Sequence, residues 1–157
     1  MRLTKYGLQL DEEKRTILVR ESARNIAMSQ DILNQPCLIS ELMEKSYKVS
    51  SLAEEYAWIL ALNRKCRLLG IFDLSHGGGA ATIMGVREIF IRLCLIGATQ
   101  FVALHNHPSG DPTPSGEDLT VTKKLINAGE LLEIPLVDHI VLGDSCYYSM
   151  KEHGVVN

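Results

Sequence analysis

The sequence of 157 residues contains no closely spaced cysteine pair and no long apolar run. Its four cysteines form no CxxC motif, so we expect reduced thiols that are buried or incidental: Cys37, Cys66, Cys94 and Cys146. No apolar run approaches the roughly 20 residues that a helix needs to cross a bilayer. The first 15 residues are too charged for a signal peptide. The sequence therefore predicts a cytoplasmic protein without a membrane partner.

The sequence also lacks an excess of positive charge. Its 16 lysines and arginines are outnumbered by 19 aspartates and glutamates, which gives a formal net charge of -3. This balance argues against a protein whose main role is to neutralise the phosphates of a nucleic-acid duplex, although it leaves room for a local basic patch. A chain of this length with 46% hydrophobic residues matches one globular domain with its own core.

The spacing of apolar residues predicts a mixed α/β domain. In residues 1–35 no period dominates, so we interpret this segment as an N-terminal arm that packs on the domain or extends towards a partner. Residues 36–157 then form the domain itself. Within it we expect helices at 36–46, 86–98 and 115–133 and strands at 56–62, 66–75, 100–107, 134–143 and 146–150, while a short strand could occupy 81–84. A mixed β-sheet flanked by helices fits this order best.

The stretch HNHPSGDPTPSGED, residues 105–118, has the clearest chemical pattern in the chain. Side chains two apart on a strand point to the same face about 6–7 Å apart, so His105 and His107 can converge on one cation. The Pro/Gly-rich turn brings Asp118 back onto the first turn of the following helix. Two histidines and a carboxylate with a vacant fourth position are typical of a catalytic zinc, in which water completes the tetrahedron.

A helix cap and a pair of core histidines could also account for this stretch without a metal. Ser115 followed three residues later by Asp118 is a helix N-cap signature, and Asp118 at the positive end of a helix dipole is stabilising by itself. The two histidines could be core residues with satisfied hydrogen bonds. A phosphate loop would need GxxxxGK[ST] or GxGxxG, and a zinc deaminase would need HxE and PCxxC, none of which is present. The complete order His-x-His-x7-Ser-x2-Asp favours the metal site, and Ser115 can both cap the helix and face the metal.

The same residues, with VREIF before them and VDHIVLG after them, carry a resemblance to a known family. His105, His107, Ser115 and Asp118 reproduce the JAMM (MPN+) metalloprotease motif, and the wider string is similar to the RadC family of bacterial JAMM-domain proteins over roughly residues 36–156. The resemblance implies a JAMM fold, related to the cytidine deaminase architecture, in which His105, His107 and Asp118 bind Zn²⁺ together with a water molecule. It also implies that Ser115 helps to stabilise the oxyanion of a tetrahedral intermediate.

A hydrolase of this kind needs a carboxylate that takes a proton from the water and hands it to the leaving amine. Enzymes with the JAMM motif resemble one another in placing a glutamate at the edge of an early strand. When the apolar run YAWILAL is aligned with this early strand, the resemblance favours Glu55 as that glutamate, with Glu54 and Glu88 as alternatives. Because adjacent residues on an extended segment point to opposite faces, Glu54 and Glu55 cannot both face the site.

Two functions are compatible with these features. The first is a zinc-dependent hydrolase of peptidase or isopeptidase type, with Glu55 and Ser115 as catalytic residues and a peptide or protein as substrate. The second is a non-catalytic interaction module for DNA repair or DNA-processing machinery, which the family's traditional label suggests and the acidic composition does not support. Asp138 and His139 lie in a later strand, where one of them could partner a zinc histidine or the pair could serve packing.

Overall fold

The computed structural model describes residues 1–76 and 84–157, apart from the side chains of residues 75 and 76. The described residues form β1 (Arg2–Leu10), β2 (Thr16–Asn25), α1 (Pro36–Tyr47), a 3-10 turn (Val49–Ser51), β3 (Tyr56–Leu62), β4 (Leu68–His76), α2 (Val86–Ile96), β5 (Gln100–Asn106), α3 (Gly116–Leu131), β6 (Leu136–Leu142) and β7 (Tyr147–Ser149). From residue 36 onwards the expected helices and strands are confirmed. The short strand considered at 81–84 falls outside the described residues, except for its last position.

The described strands form one seven-stranded mixed sheet in the order β2-β1-β4-β3-β5-β6-β7. β1 pairs with β4 and β5 pairs with β6 in parallel, whereas the other four pairs are antiparallel. Helices α2 and α3 cover one face of this sheet and α1 covers the other, so that two separate apolar layers are buried. The expected α/β class, with a mixed sheet between helices, is therefore confirmed.

The first 35 residues contain two strands that the apolar spacing did not predict. β1 and β2 form an antiparallel hairpin, and Lys5 of β1 pairs with Ile71 of β4 in parallel. The Lys5 ammonium also forms ion pairs with Asp73 on β4 at 2.7 Å and with Glu21 on β2 at 3.1 Å. The N-terminal segment thus packs on the domain and extends its sheet; the division of the chain at residue 35 stays a prediction.

Alternation along the central strands decides which side chains face which helices. In β3, Ala57 and Ile59 lie in the layer under α2 and α3, while Trp58 and Leu60 lie in the layer under α1. β5 alternates in the same way, with Ala103 towards α2 and α3. Because side chains alternate along a strand with a period of two, His105, the next odd-numbered residue of β5, faces α3 as well.

The cysteines were expected to be reduced and either buried or incidental, and the structure leaves none of them completely buried. All four are free, and Cys37, Cys94 and Cys146 are exposed, while Cys66 is half-buried. An apolar run does not bury each of its members when it lies on a helix that packs on the sheet by one side, as α2 does around Cys94. In the described part of the chain no helix has the length and apolar character required to cross a bilayer.

Helix α3 approaches the start of β6 closely enough to exclude a side chain at Gly129. A Cβ atom at this position would lie 2.7 Å from the backbone oxygen of Ile134 and 3.3 Å from the backbone nitrogen of Leu136. The Ile134 N–H donates to the Gly129 carbonyl at 2.9 Å, which fixes the turn between helix and strand. This close contact positions α3 on the sheet, and with it Asp118 at the other end of the helix.

Replacement of Gly129 by alanine is expected to destabilise the protein. Alanine favours a helix over glycine by about 1 kcal/mol, but here the added methyl group meets backbone atoms that have to shift. We expect the free energy of unfolding to fall by about 1–3 kcal/mol, measured by chemical denaturation. Gly116→Ala in the same helix is the control, because its Cβ would meet no atom within 4 Å. A Gly129→Ala protein as stable as the wild type would contradict this account of how α3 is positioned.

Candidate metal centre

The carboxyl end of β5 and the amino end of α3 bring three candidate ligands together. His105 is in β5 and His107 follows it directly, and both point to the α3 side of the sheet by the alternation of the strand. Asp118 lies in the first turn of α3, where it is buried against the sheet. The turn between them contains three prolines and reverses the chain, as the sequence indicated.

The distances among the three side chains fit a tetrahedral metal ion. His105 Nε2 lies 3.1 Å from His107 Nε2 and 3.2 Å from Asp118 Oδ1, and His107 Nε2 lies 3.6 Å from Asp118 Oδ2. Ligands bound to zinc at 2.0–2.1 Å in a tetrahedron are separated by about 3.3–3.4 Å. The three residues supply ligand atoms that all lie within 4.8 Å of one another, so the group could hold a metal ion.

The protonation pattern of the histidines also leaves room for a cation. The Nδ1 atom of His107 lies 2.9 Å from the backbone oxygen of Asp111, which can only accept, so Nδ1 carries a proton. In neutral His107 the lone pair is then on Nε2, which faces His105 Nε2 and the Asp118 carboxylate. Lone pairs at these separations repel one another. Either a proton or a metal ion must therefore lie between them.

Ser115 and Asp118 form a reciprocal capping box at the start of α3. The Asp118 N–H donates to Ser115 Oγ at 3.1 Å, and Asp118 Oδ2 accepts from the Ser115 N–H at 2.6 Å and from the Ser115 hydroxyl at 2.7 Å. The helix-cap interpretation of these residues is thus present in the structure together with the metal-ligand geometry. Since Ser115 engages Oδ2, the other oxygen, Oδ1, faces His105.

The pKa of the Asp118 carboxyl is well below its ordinary value. Burial by itself would raise its pKa, but the interaction with the His105 ring and the hydrogen bonds from the hydroxyl and N–H of Ser115 outweigh burial and hold the pKa low. The positive end of the α3 dipole acts in the same direction. An ionised carboxylate is the form that binds a cation, so this residue is prepared for a ligand role across the physiological pH range.

Glu55 faces the same site, as the strand register requires. Ala57 of β3 pairs with His105 of β5 in an antiparallel ladder. Glu55 directly precedes β3 and His107 directly follows β5, so both lie at the same end of this ladder. Burial raises the pKa of the Glu55 carboxyl, and its electrostatic interaction with the His105 and His107 rings opposes this rise. The Glu55 side chain therefore lies in the electric field of the candidate ligands.

The two alternative glutamates have other surroundings. Glu54 lies at a bend before β3, where its backbone oxygen accepts from Asn106 Nδ2. Glu88 lies on α2, where its carboxylate contacts Arg87 at 3.4 Å and lines a surface cavity against the N-terminal hairpin. The structure thus brings Glu55 close to His105, His107 and Asp118, whereas Glu88 lines the cavity beside the N-terminal hairpin.

Asn106, between the two histidines, makes contacts that the sequence did not predict. Its side chain points to the opposite face from His105, where its amide Nδ2 donates to the Glu54 backbone oxygen at 3.0 Å and its Oδ1 accepts from the Tyr56 N–H at 2.8 Å. These bonds continue the β3–β5 ladder through a side chain. Asn106 therefore fixes the backbone on both sides of Glu55. A polar residue between two histidines at the end of an apolar strand was the available signal.

Asp138 and His139 differ in their relation to the site. His139 Nε2 lies 3.0 Å from His105 Nδ1, and both side chains are completely buried. Burial is the main cause that lowers the pKa of His139 to about 3, so this imidazole is neutral. Asp138 faces the other way and accepts from the Ser149 hydroxyl and from the Lys151 N–H at 2.9 Å. Only His139 of this pair contacts a candidate ligand.

Fold and site together define an α/β domain with a candidate metal centre of two histidines and one carboxylate. A sequence model of the RadC-like JAB domain matches residues 33–155. The chain belongs to this family, as the histidine motif and its flanking strings indicated.

Curated bacterial proteins support the same membership. A UPF0758 protein of Alkaliphilus metalliredigens is 34% identical over 154 residues, which cover 96% of this chain and 66% of the relative. A UPF0758 protein of Alkaliphilus oremlandii is 36% identical over 154 residues with the same coverage. One of Desulfitobacterium hafniense is 34% identical over 139 residues, 88% of this chain and 60% of the relative. This chain thus spans less than two thirds of the length of these relatives.

Replacement of Asn106 by alanine is expected to release the segment that carries Glu55. The Tyr56 N–H loses its bond to Asn106 Oδ1, and we expect faster hydrogen exchange of the Tyr56 amide, measured by NMR, with a loss of about 1–3 kcal/mol in stability. Asn63→Ala is the matched control, since it removes two side-chain bonds to backbone N–H groups at the other end of β3. Equal exchange of the Tyr56 amide in the wild type and Asn106→Ala would refute the positioning role.

Proposed function

We propose that this domain is a zinc-dependent hydrolase of peptidase or isopeptidase type. The observation that carries the proposal is the convergence of His105, His107 and Asp118 with Glu55 on the same side of the sheet. Membership of the RadC-like JAB family supports the same chemistry. The group consists of two imidazoles and a carboxylate, the ligand set typical of catalytic zinc sites that keep one position for water.

His105, His107 and Asp118 would bind the zinc ion through Nε2, Nε2 and Oδ1. When bound there, zinc would supply a Lewis acid and lower the pKa of a water molecule towards neutrality. The protein contributes the orientation of the three ligand atoms. It orients His107 through its bond to the Asp111 carbonyl and Asp118 through the capping box with Ser115.

Glu55 is the proposed general base. Its carboxylate would accept a proton from the attacking water and deliver it to the nitrogen of the leaving amine as the carbon–nitrogen bond breaks. The raised pKa of this carboxyl suits both steps, because a carboxylate that binds its proton more tightly is a stronger base and still donates it to an amine. The bonds from Asn106 to the flanking backbone keep the carboxylate in place during the transfer.

Ser115 is proposed to donate a hydrogen bond to the oxyanion that develops during attack on the carbonyl. Its hydroxyl donates to Asp118 Oδ2 in the structure, so this bond has to be redirected when substrate is bound. The Ser115 N–H would continue to hold Oδ2 at that stage. The helix cap and the oxyanion contact would thus use the same hydroxyl in turn.

The proposed substrate is a peptide or protein with an amide bond that can reach the site. Four free cysteines fit a reducing compartment, and we place the proposed activity in the cytoplasm. A longer protein of this family would contain further segments, and its activity, substrates and partners would depend on them as well. A nucleic-acid partner has no support in the charge of this chain.

Metal content tests the ligand assignment. We expect the protein purified with zinc present to hold about one zinc ion per chain, and His107→Ala and Asp118→Ala each to lose most of it, because two ligands of this kind bind zinc weakly. His153→Ala is the matched control, since this histidine is exposed near the C terminus. Metal analysis by plasma mass spectrometry and circular dichroism give the result. Folded variants with unchanged zinc would show that the assigned ligands are wrong.

Replacement of Glu55 by glutamine tests the chemistry separately from metal binding. With a proteome-derived peptide library as substrate, we expect the zinc-loaded wild type to create new amino termini, read by mass spectrometry. Glu55→Gln should reduce the rate by about 10²- to 10⁴-fold with zinc content unchanged, because it removes the proton acceptor. Glu54→Gln is the adjacent control and should cleave like the wild type.

The same proteins distinguish hydrolysis from an interaction module. Cleavage that a chelator abolishes and zinc restores supports the hydrolase. No cleavage, together with duplex DNA binding that weakens steeply as salt is added, would support the DNA-associated module instead.

A further inference from the structure

A chain of buried hydrogen bonds connects His105 to the backbone of α3. His105 Nδ1 lies 3.0 Å from His139 Nε2, His139 Nδ1 lies 2.7 Å from Thr122 Oγ1, and Thr122 Oγ1 lies 2.7 Å from the Asp118 backbone oxygen. The side chains of His105, His139 and Thr122 are completely buried. Sequence reasoning gave no indication of Thr122, because threonine in a helix is usual where its hydroxyl bonds back to the preceding turn.

The backbone carbonyl at one end determines the direction of every bond in this chain. A carbonyl oxygen only accepts, so the Thr122 hydroxyl uses its one proton on the Asp118 oxygen. Thr122 Oγ1 can then only accept from His139, which places a proton on His139 Nδ1. In a neutral imidazole the other nitrogen is an acceptor, so His139 Nε2 accepts from a proton on His105 Nδ1.

The neutral state of His139 follows from its surroundings. The side-chain hydrogen bonds of His139 in the described part of the chain are those with His105 and Thr122. A charged imidazolium at zero exposure, without a carboxylate in contact, would lack compensation for the loss of water. His139 therefore has one proton, and its Nε2 lone pair points at His105.

We propose that Thr122 and His139 are positioning residues that fix the tautomer of His105, so that Nδ1 is protonated and Nε2 is presented to the metal ion. The inference rests on the proposed function in one respect, the assignment of His105 as a ligand. The relay leaves Nε2 as the nitrogen of His105 that faces His107 and Asp118. If the relay were reversed, the Nδ1 lone pair would point at His139 and Nε2 would carry the proton in the ligand space.

His107 is oriented by simpler means. Its side chain is 19% exposed and its Nδ1 donates to a carbonyl in the loop before α3. Both histidines thus present Nε2, and in both cases the direction of the bond originates at a backbone carbonyl. For His105 that carbonyl belongs to Asp118, itself a candidate ligand, and it acts through two intervening side chains.

Thr122→Val and Thr122→Ser separate this role from simple packing. Valine has nearly the volume of threonine but offers no acceptor to His139 Nδ1, whereas serine retains the hydroxyl. We expect the affinity of the metal-free protein for Zn²⁺, measured by competition with a chromophoric chelator, to fall about 10- to 100-fold in Thr122→Val. Thr122→Ser should recover most of this loss. Thr120→Val is the matched control, because Thr120 makes the same bond to the carbonyl four residues earlier on the exposed side of α3.

The tautomers are read directly by ¹⁵N NMR of the imidazole rings. In the wild type we expect protonated Nδ1 and unprotonated Nε2 for His139, and protonated Nδ1 for His105, with a redistribution at both rings in Thr122→Val. Protonated Nε2 on His139 in the wild type would overturn the inference, as would unchanged zinc affinity in folded Thr122→Val. Should Thr122→Val fail to fold, the wild-type spectrum decides. Failure of the wild type to bind zinc would instead overturn the proposed function, and the His139 tautomer would still be read from its spectrum.

Discussion

Two imidazole nitrogens and a carboxylate oxygen face one another across 3.1–3.6 Å at the end of β5, an arrangement that needs a proton or a cation between them. These groups do not converge by mutual attraction. Each group is held by a hydrogen bond to a residue outside the three. The Asp111 carbonyl holds His107, Ser115 holds Asp118 and His139 holds His105. The rest of the domain is the scaffold that keeps these hydrogen bonds in place against the repulsion between the facing lone pairs.

Strand alternation and register account for most of that scaffold. The ladder that pairs Ala57 with His105 ends at the site, so one register brings Glu55, just before β3, to the same end of the sheet as the candidate ligands. A shift of one residue would move all these side chains to the α1 face. The apolar layers on both faces of β3 and β5 oppose such a shift, because it would exchange Trp58 and Leu60 with the smaller residues beside them.

The sequence was sufficient where the determinants are local. Alternation in QFVALHNH, the proline-rich turn and the capping signature at Ser115 are each visible within a few residues, and they predicted the strand, the helix and the convergence of His105, His107 and Asp118. β1 and β2 were missed because their residues are largely half-buried or exposed at the sheet edge, so no face shows a continuous apolar pattern. Asn106 and Tyr56 are 50 residues apart, and Thr122 and His139 are 17 apart. Such partners follow from the packing of elements on the sheet, which apolar spacing does not specify.

Asp118 links the start of α3 to the hydrogen bonds that orient His105. Its N–H and Oδ2 close the capping box, its Oδ1 faces His105, and its backbone oxygen accepts from Thr122. Unwinding the first turn of α3 would therefore displace a carboxylate ligand and at the same time remove the acceptor that orients Thr122, His139 and His105. Conversely, an ion bound by His105 and Asp118 would stabilise the helix start, because it would neutralise the carboxylate that the cap already holds. Binding of such an ion and the folding of this turn would consequently be coupled.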